Sequence, residues 1–178
     1  NFTQNMKNYK IKNKFFKSTM DLIGNKGFGK NILGESIKKY MIEHCKTNEI
    51  VVNGYKMLLD KNDVMHFSLS DYEPLETEIV KTNVKKNDIV VDVGANIGYY
   101  TLLMAKNNAS VFSYEPEPQN FTLLKKNVIL NNFSSNVRLY NKAVSNFHGN
   151  SKLVLSDHST GQHKLNKNRF GTKSIDVE

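Results

Sequence analysis

The sequence is poor in three features that often define a class of protein. It has one cysteine, Cys45, among 178 residues, which excludes an internal disulfide framework and a cysteine-based zinc cluster. No apolar run approaches the roughly 20 residues that cross a membrane, so no membrane span is expected. Arginine occurs only twice, at positions 138 and 169.

The scarcity of arginine affects how the net charge of +8 is interpreted. A basic chain suggests a nucleic-acid partner, but bidentate contacts to phosphate and guanine favour arginine over lysine. Almost all the basic residues here are lysines, which are typical of a solvated face. We therefore expect no specific nucleic-acid partner. The hydrophobic fraction of 39% is that of a globular domain.

The pattern along the chain predicts a lead-in with a helix over residues 1–48 and one larger domain over 49–178. "EIVVNGYKMLLD" consists of two short apolar runs around Asn53-Gly54, which is a strong hairpin signal. "DYEPLETEIVKTNV" predicts a helix with Pro74 in its first turn, where the missing N–H is tolerated. We expect Asp71 to cap this helix, and Leu75 and Ile79 to lie on its buried side.

From Asp88 onward, apolar runs alternate with helical segments. The runs are "IVVDV", "SVFSYE" and "VRLYNKAV", and the helical segments are "GYYTLLMAKNN" and "PQNFTLLKKNVILNN". This alternation predicts an α/β fold with a parallel sheet and covering helices. In such sheets ligands bind beyond the carboxyl ends of the strands, at the strand-to-helix turns.

The first of these turns is "DVGANIG", residues 92–98. Gly94 and Gly98 remove side chains where a ligand must approach the backbone. Dinucleotide folds require Gly-x-Gly-x-x-Gly, and the spacing here does not match it. Asp92 adds a carboxylate beside the ligand, which suits the positive ammonium and sulfonium of S-adenosylmethionine (SAM) better than a pyrophosphate. The turn therefore favours SAM as the cofactor.

The next two strand ends supply further candidate contacts. Glu115 ends the second strand, where a carboxylate can accept hydrogen bonds from the hydroxyls of an adenosine ribose; the alternative is an acid that only favours a helix N-terminus. The third strand is expected to bring Asn141, Lys142 and Ala143 to the adenine edge of the same crevice.

These motifs resemble the FkbM family of SAM-dependent methyltransferases. The resemblance is carried by "DVGANIGYYT" followed by "YEPEP", and by "NKAVSNFHGNSKLVLS" and "STGQHKL", and it extends from about Val51 to the end of the sequence. It implies a class I methyltransferase fold with SAM as methyl donor, and methyl transfer to a hydroxyl of a sugar, glycan or natural product. The acceptor would be a small molecule or a glycan.

The resemblance also assigns site residues. The cofactor-binding residues that it and the strand ends together imply are Glu73, Asp92, Gly94, Ala95, Asn96, Gly98, Tyr99, Glu115, Pro116, Asn141, Lys142 and Ala143. The fold expected is a Rossmann-like sheet with helices on both faces, incomplete at its C-terminal end, and preceded by a small helix and a β-hairpin. The later acceptor-side motif of the family is not matched, so we expect a fragment truncated at the C-terminus.

A catalytic base is not identified by the sequence. Weak candidates are Asp157, Thr160 and His163, of which the histidine alone has an ordinary pKa near neutrality. No cluster of His, Asp or Glu has the spacing of metal ligands, so no metal is expected. The pattern does not indicate an oligomeric state, and a cytoplasmic location is expected.

Two other functions stay open at this point. One is an NAD(P)-binding Rossmann oxidoreductase, and the other is a non-catalytic module of a larger glycan-modifying protein that keeps the pocket for structural reasons.

Overall fold

The computed structural model describes residues 49–60, 72–147, 149–154, 164–165 and 174–177, together with Ser18 and Ser36. The chain divides into two compact units, Asn1–Asn48 and Glu49–Glu178, and the elements below belong to the second unit. Whether the first unit is a separate lead-in stays a prediction. Within the part described, no helix is long and apolar enough to cross a membrane.

A two-stranded antiparallel hairpin comes first. Strand β1 (Glu49–Val52) pairs with β2 (Tyr55–Leu58), with Val52 opposite Tyr55. Asn53 and Gly54 form the two-residue turn with φ angles of 48° and 79°, the left-handed values that a primed turn requires. The predicted hairpin is therefore confirmed at its predicted turn.

Helix α1 (Pro74–Asn83) begins with a proline, as predicted. The predicted buried face is wrong. Glu73 occupies the N-cap position, and its side chain does not cap the helix; Asp71, the predicted cap, lies outside the described residues. Leu75 is 69% exposed and Ile79 is 52% exposed, whereas Thr77 is buried.

Two βαβ units follow and form a three-stranded parallel sheet. Its elements are β3 (Ile89–Val93), α2 (Tyr99–Lys106), β4 (Ser110–Tyr114), α3 (Pro118–Leu130) and β5 (Val137–Tyr140). The order is β3-β4-β5, with Val93 opposite Tyr114 and Tyr114 opposite Tyr140. The carboxyl ends of the three strands therefore lie at one edge, where α/β folds bind ligands.

The core lies between this sheet and helices α2 and α3. Leu102 of α2, Val111 of β4 and Leu124 of α3 are all fully buried. On the opposite face of the sheet Ile89 and Val91 are 76% and 60% exposed. Burial of one face by the two crossover helices is what right-handed βαβ connections dictate.

A second three-stranded sheet is antiparallel. Its strands are β6 (Ser151–Val154), β7 (Lys164–Leu165) and β8 (Ser174–Val177), in the order β7-β6-β8. The strand predicted after Gly149-Asn150 is β6. The α/β fold class predicted from the sequence, with its Rossmann-like parallel sheet, is confirmed.

Candidate functional site

The backbone of the turn between β3 and α2 is held by hydrogen bonds to the neighbouring strand, within the turn and to a carboxylate. The Gly94 and Ala95 amides donate to the Tyr114 carbonyl of the neighbouring strand at 2.9 and 3.0 Å. Within the turn, the Gly98 amide donates to the Ala95 carbonyl at 2.8 Å. The Asn96 amide donates to the Glu115 carboxylate at 2.7 Å. These bonds fix the backbone of the turn, and a fixed backbone loses less entropy when it binds a ligand.

The two glycines of the turn serve different purposes. Both have positive φ, 78° at Gly94 and 102° at Gly98, where a side chain is strained. A Cβ on Gly98 would lie 2.7 Å from Cδ1 of Leu124, so this position is needed for packing of α2 against α3. A Cβ on Gly94 would meet no atom within 4 Å. Gly94 therefore borders open space at the strand ends.

Asp92 lies near the end of β3, and its carboxylate contacts Thr101 of α2. It accepts a hydrogen bond from the Thr101 hydroxyl at 2.5 Å, and it also interacts with the Thr101 backbone amide. The Thr101 hydroxyl in turn contacts the Ser113 hydroxyl of β4 at 2.8 Å. Burial raises the pKa of Asp92, and the bonds from Thr101 oppose that rise. Asp92 therefore favours a nearby positive charge.

Glu115 follows β4 and is buried. One carboxylate oxygen accepts from the Asn96 amide at 2.7 Å, and the other accepts from the Glu117 amide at 2.9 Å. Its side chain also interacts with that of Asn120. A carboxylate has about four acceptor positions, more than these three partners use. Burial raises the pKa of Glu115, and the two backbone bonds lower it.

Glu73 comes close to the turn through an aromatic cluster. Its carboxylate accepts a hydrogen bond from the Tyr100 hydroxyl in the first turn of α2, at 2.6 Å. Tyr72 packs edge-on against Tyr99 with ring centroids 4.9 Å apart, and the hydroxyls of Thr77 and Tyr99 are 3.1 Å apart. Burial, followed by the bond to Glu73, raises the pKa of Tyr100. The predicted Glu73 therefore contacts Tyr100, the residue that follows the predicted Tyr99.

The residues after β5 lie at the same edge of the sheet. The Asn141 side-chain amide donates to the carbonyls of Glu115 and Pro116 at 2.8 and 3.1 Å. This joins the third strand end to the second. Lys142 is exposed, and Ala143 is partly buried. Contact of these three residues with an adenine stays a prediction.

Some predicted positions lie outside the described residues. The candidate bases Asp157, Thr160 and His163 are among them, so they stay predictions. Among the residues that the structure does describe, no three His, Cys, Asp or Glu side chains form a possible metal site.

Sequence reasoning missed Thr101 and Asn127, which hold the site together. The Asn127 side chain donates to the Ile97 carbonyl of the turn at 2.8 Å. The available signal was a polar residue on the apolar face of a predicted helix, between Leu124 and Val128.

Comparison with known protein families shows to which family this domain belongs. The family model described as the TRM5/TYW2 methyltransferase domain matches residues 48–169. The chain belongs to the TRM5/TYW2 methyltransferase domain family. The match includes the β1–β2 hairpin, the whole parallel sheet and the turn between β3 and α2.

Single relatives agree with the family at the level of methyltransferases. A curated relative, methyltransferase sdnD of Sordaria araneosa, is 31% identical over 85 residues, covering 47% of this chain and 33% of the relative. A probable ribosomal RNA small subunit methyltransferase A of Methanosphaera stadtmanae is 28% identical over 44% of this chain and 29% of the relative. The chain spans about a third of the length of these curated relatives.

Solved structures also include methyltransferases of this family. TYW2 of P. horikoshii, solved in complex with MeSAdo, is 30% identical and aligns over 57% of this chain and 38% of its own, with a TM-score of 0.47. A complex of aTrm5 with tRNALeu is 27% identical over 51% of this chain and 26% of its own, with a TM-score of 0.43.

These comparisons confirm the prediction of a class I methyltransferase domain with SAM as its cofactor. They do not favour the NAD(P) oxidoreductase. The family that matches is TRM5/TYW2 rather than FkbM, so the FkbM resemblance is supported only at the level of class I methyltransferases.

The raised pKa values predict a pH dependence for cofactor binding. Asp92 and Glu115 both have pKa values raised by burial, and a bound cation favours their ionised forms. Lowering the pH through these pKa values protonates the carboxyls, so we expect the affinity for SAM to fall. S-adenosylhomocysteine (SAH) lacks the sulfonium charge and should lose less affinity. Calorimetric titrations of both ligands between about pH 5 and pH 8 measure the difference, and equal losses would contradict the expectation.

Proposed function

We propose that this chain binds SAM at the turn between β3 and α2 and transfers its methyl group to an acceptor. One observation carries the proposal: the carboxylates of Asp92 and Glu115 and the open position at Gly94 are joined by one hydrogen-bonded turn. Glu115 is buried and Asp92 is partly buried, and burial raises the pKa of both, so each carboxylate gains from a nearby cation. Family membership supports the same cofactor.

The residues have separate parts in this proposal. SAM supplies an electrophilic methyl group on a cationic sulfur. Asp92 provides a negative charge that is fixed by Thr101, and a fixed charge costs no reorganisation when the ligand binds. Glu115 offers its remaining acceptor position to a ribose hydroxyl while it holds the Asn96 amide. Much of the rate would come from positioning the methyl group against the acceptor.

The family favours transfer RNA as one acceptor class. TRM5/TYW2 is the family whose model matches, and similar solved structures include a complex of aTrm5 with tRNALeu and a tRNA m1G37 methyltransferase of M. jannaschii. Under this proposal the lysines supply the non-specific attraction to phosphates. The earlier expectation of no specific nucleic-acid partner is the competing view.

The motifs favour a hydroxyl of a sugar, glycan or natural product as the other acceptor class. "DVGANIGYYT" followed by "YEPEP" resembles the FkbM family, and this resemblance supports O-methylation. The scarcity of arginine also supports it: Arg138, exposed on β5, is the one arginine among the described residues. A cytoplasmic location stays part of this proposal.

A methyl-transfer assay distinguishes the acceptor classes. Purified protein is incubated with methyl-labelled SAM and, separately, with bulk tRNA and with a panel of hydroxylated glycans and small molecules. Label that becomes soluble after nuclease treatment supports the tRNA acceptor, and label on a glycan or small molecule supports the hydroxyl acceptor. Binding of SAM without transfer to any acceptor favours a non-catalytic module. Absence of SAM binding would contradict the whole proposal.

Glu115→Gln tests the ribose contact. Glutamine keeps one carbonyl acceptor but replaces the other oxygen with an amide that cannot accept from a backbone N–H. We expect SAM affinity to fall about tenfold, the usual scale for a hydrogen bond to a charged group. Glu49→Gln, on the hairpin, is the control and should leave affinity unchanged. Calorimetric affinities that are equal for the two variants would exclude Glu115 as a cofactor contact.

A further inference from the structure

Asn127 of α3 and its C-cap residue Asn131 take the place of a third strand along the outer edge of the hairpin. The Leu58 amide donates to Oδ1 of Asn127 at 2.6 Å, and Nδ2 of Asn127 donates back to the Leu58 carbonyl at 3.1 Å. One helical turn later, Asn131 makes the same pair of bonds to the backbone of Lys56, at 2.9 and 2.7 Å. Residues two apart on a strand direct their backbone N–H and C=O groups to the same side. The two asparagine side chains therefore bond to the backbone groups on the edge of β2 that faces away from β1.

Asn127 makes one contact that Asn131 does not. Its Nδ2 also donates to the Ile97 carbonyl at 2.8 Å, while Nδ2 of Asn131 donates to the Asn127 carbonyl within the helix. Asn127 is fully buried, and Ile97 is 1% exposed. One side chain therefore joins the hairpin, α3 and the turn that borders Gly94.

The other contacts of the hairpin lie close to the same turn. The Tyr55 hydroxyl donates to the Tyr99 carbonyl at 3.2 Å, and Nδ2 of Asn53 donates to the Tyr99 hydroxyl at 3.2 Å. The Lys106 ammonium group donates to the Asn53 carbonyl. The hairpin is thus attached to the first residue of α2 and, through Asn127, to the turn before it.

We propose that Asn127 is a positioning residue that couples the cofactor turn, through the Ile97 carbonyl, to the docking of the hairpin at Leu58. The inference rests on the proposed binding of SAM at this turn and extends it to residues that do not touch the cofactor. The Ile97 carbonyl lies between Asn96, whose amide Glu115 holds, and Gly98, the N-cap of α2. Loss of the bond from Asn127 leaves a buried carbonyl without that partner, and the turn gains alternative conformations.

The coupling has a simple quantitative form. Apparent affinity falls in proportion to the fraction of molecules whose turn has the binding conformation. It is also reciprocal, because a ligand that requires the ordered turn must stabilise the docked hairpin by the same factor. Asn131 holds the same strand without touching the turn, so it provides a matched control.

The test compares Asn127→Ala with Asn131→Ala in the whole chain, with SAH as the probe. Each variant loses a pair of bonds to one residue of β2, and calorimetry gives the affinity. We expect N127A to weaken SAH binding about tenfold, as for a turn that is competent about one-tenth of the time, and N131A to weaken it less than about twofold. Equal affinities of the two folded variants would overturn the coupling. If wild-type protein does not bind SAH, the proposed cofactor site itself fails, so the two failures are distinguishable.

Hydrogen exchange on the wild-type chain gives an answer that does not depend on the folding of N127A. Saturating SAH should slow exchange of the Leu58 amide, which bonds to Asn127, several times more than exchange of the Lys56 amide, which bonds to Asn131. Unchanged exchange at Leu58 in a chain that binds SAH would overturn the inference.

Discussion

Replacing Asp92 with asparagine should weaken SAM binding at least about a hundredfold and leave the ligand-free fold as stable as before or more stable. The affinity falls because the partly buried carboxylate provides a negative charge beside a cationic ligand, and a partly desolvated pair of this kind contributes a few kcal/mol. Asparagine is of the same size and its oxygen can still accept the bond from Thr101.

The stability part of this result follows from the raised pKa of Asp92. A carboxyl whose pKa is higher in the folded than in the unfolded chain stabilises the fold below its unfolded pKa. That contribution is lost as the pH rises through the folded pKa. Above its folded pKa, the ionised and partly buried Asp92 therefore destabilises the fold, and a neutral amide removes this cost.

The two quantities are measured separately. Calorimetry gives the affinity for SAM, and urea denaturation at neutral pH gives the free energy of unfolding. Asp88→Asn is the control, because Asp88 lies exposed at the opposite end of β3 and accepts from the Lys85 amide. It should leave the affinity unchanged. An Asp92→Asn protein that binds SAM normally would show that the cofactor lies elsewhere.

Gly98→Ala should destabilise the fold by about 2–4 kcal/mol, whereas Gly94→Ala should cost about 1 kcal/mol. Both substitutions place a Cβ at positive φ. The difference arises because a Cβ at position 98 would lie 2.7 Å from Leu124 Cδ1, inside the contact between α2 and α3, and a Cβ at position 94 meets nothing.

The affinity for SAM should be more sensitive to substitution at Gly94 than at Gly98, the reverse of the order for stability. A methyl group at position 94 projects into the open space proposed for the cofactor, so Gly94→Ala should weaken SAM binding more than Gly98→Ala does in the molecules that remain folded. Urea denaturation and calorimetry on both variants measure this. A Gly94→Ala protein with full affinity would contradict the assignment of that space to the ligand.

The elements that local chemistry specifies could be predicted from the sequence. Asn53-Gly54 allows two consecutive residues of positive φ, so the hairpin turn was predictable. Pro74 can begin a helix but cannot continue one, so the start of α1 was predictable too. The alternation of strands and helices predicted the parallel sheet, and with it the shared edge of Asp92 and Glu115.

The buried side of α1 could not be predicted, because it depends on a neighbour distant in the chain. Apolar periodicity selected Leu75 and Ile79, but the residue that packs inward is Thr77. Its hydroxyl donates to the Tyr72 carbonyl and contacts the Tyr99 hydroxyl. A polar residue can thus occupy the buried side of a helix when its hydroxyl has hydrogen-bond partners there.

The asparagine contacts of α3 escaped prediction for a similar reason. Asn127 and Leu58 are 69 positions apart, and nothing in the local pattern relates them. The helical periodicity of the sequence assigns Asn127 to the apolar face of the helix. It does not indicate that the side-chain amide bonds to the backbone of a strand. Side-chain amides that satisfy distant backbone groups become visible only when the tertiary structure is known.

The measurement that most directly tests the central claim is a pair of calorimetric titrations of the unmodified chain, one with SAM and one with NADH. The arrangement of Asp92, Glu115 and Gly94 predicts saturable binding of SAM at one site per chain and no heat of binding with NADH. Binding of NADH without binding of SAM would contradict the claim.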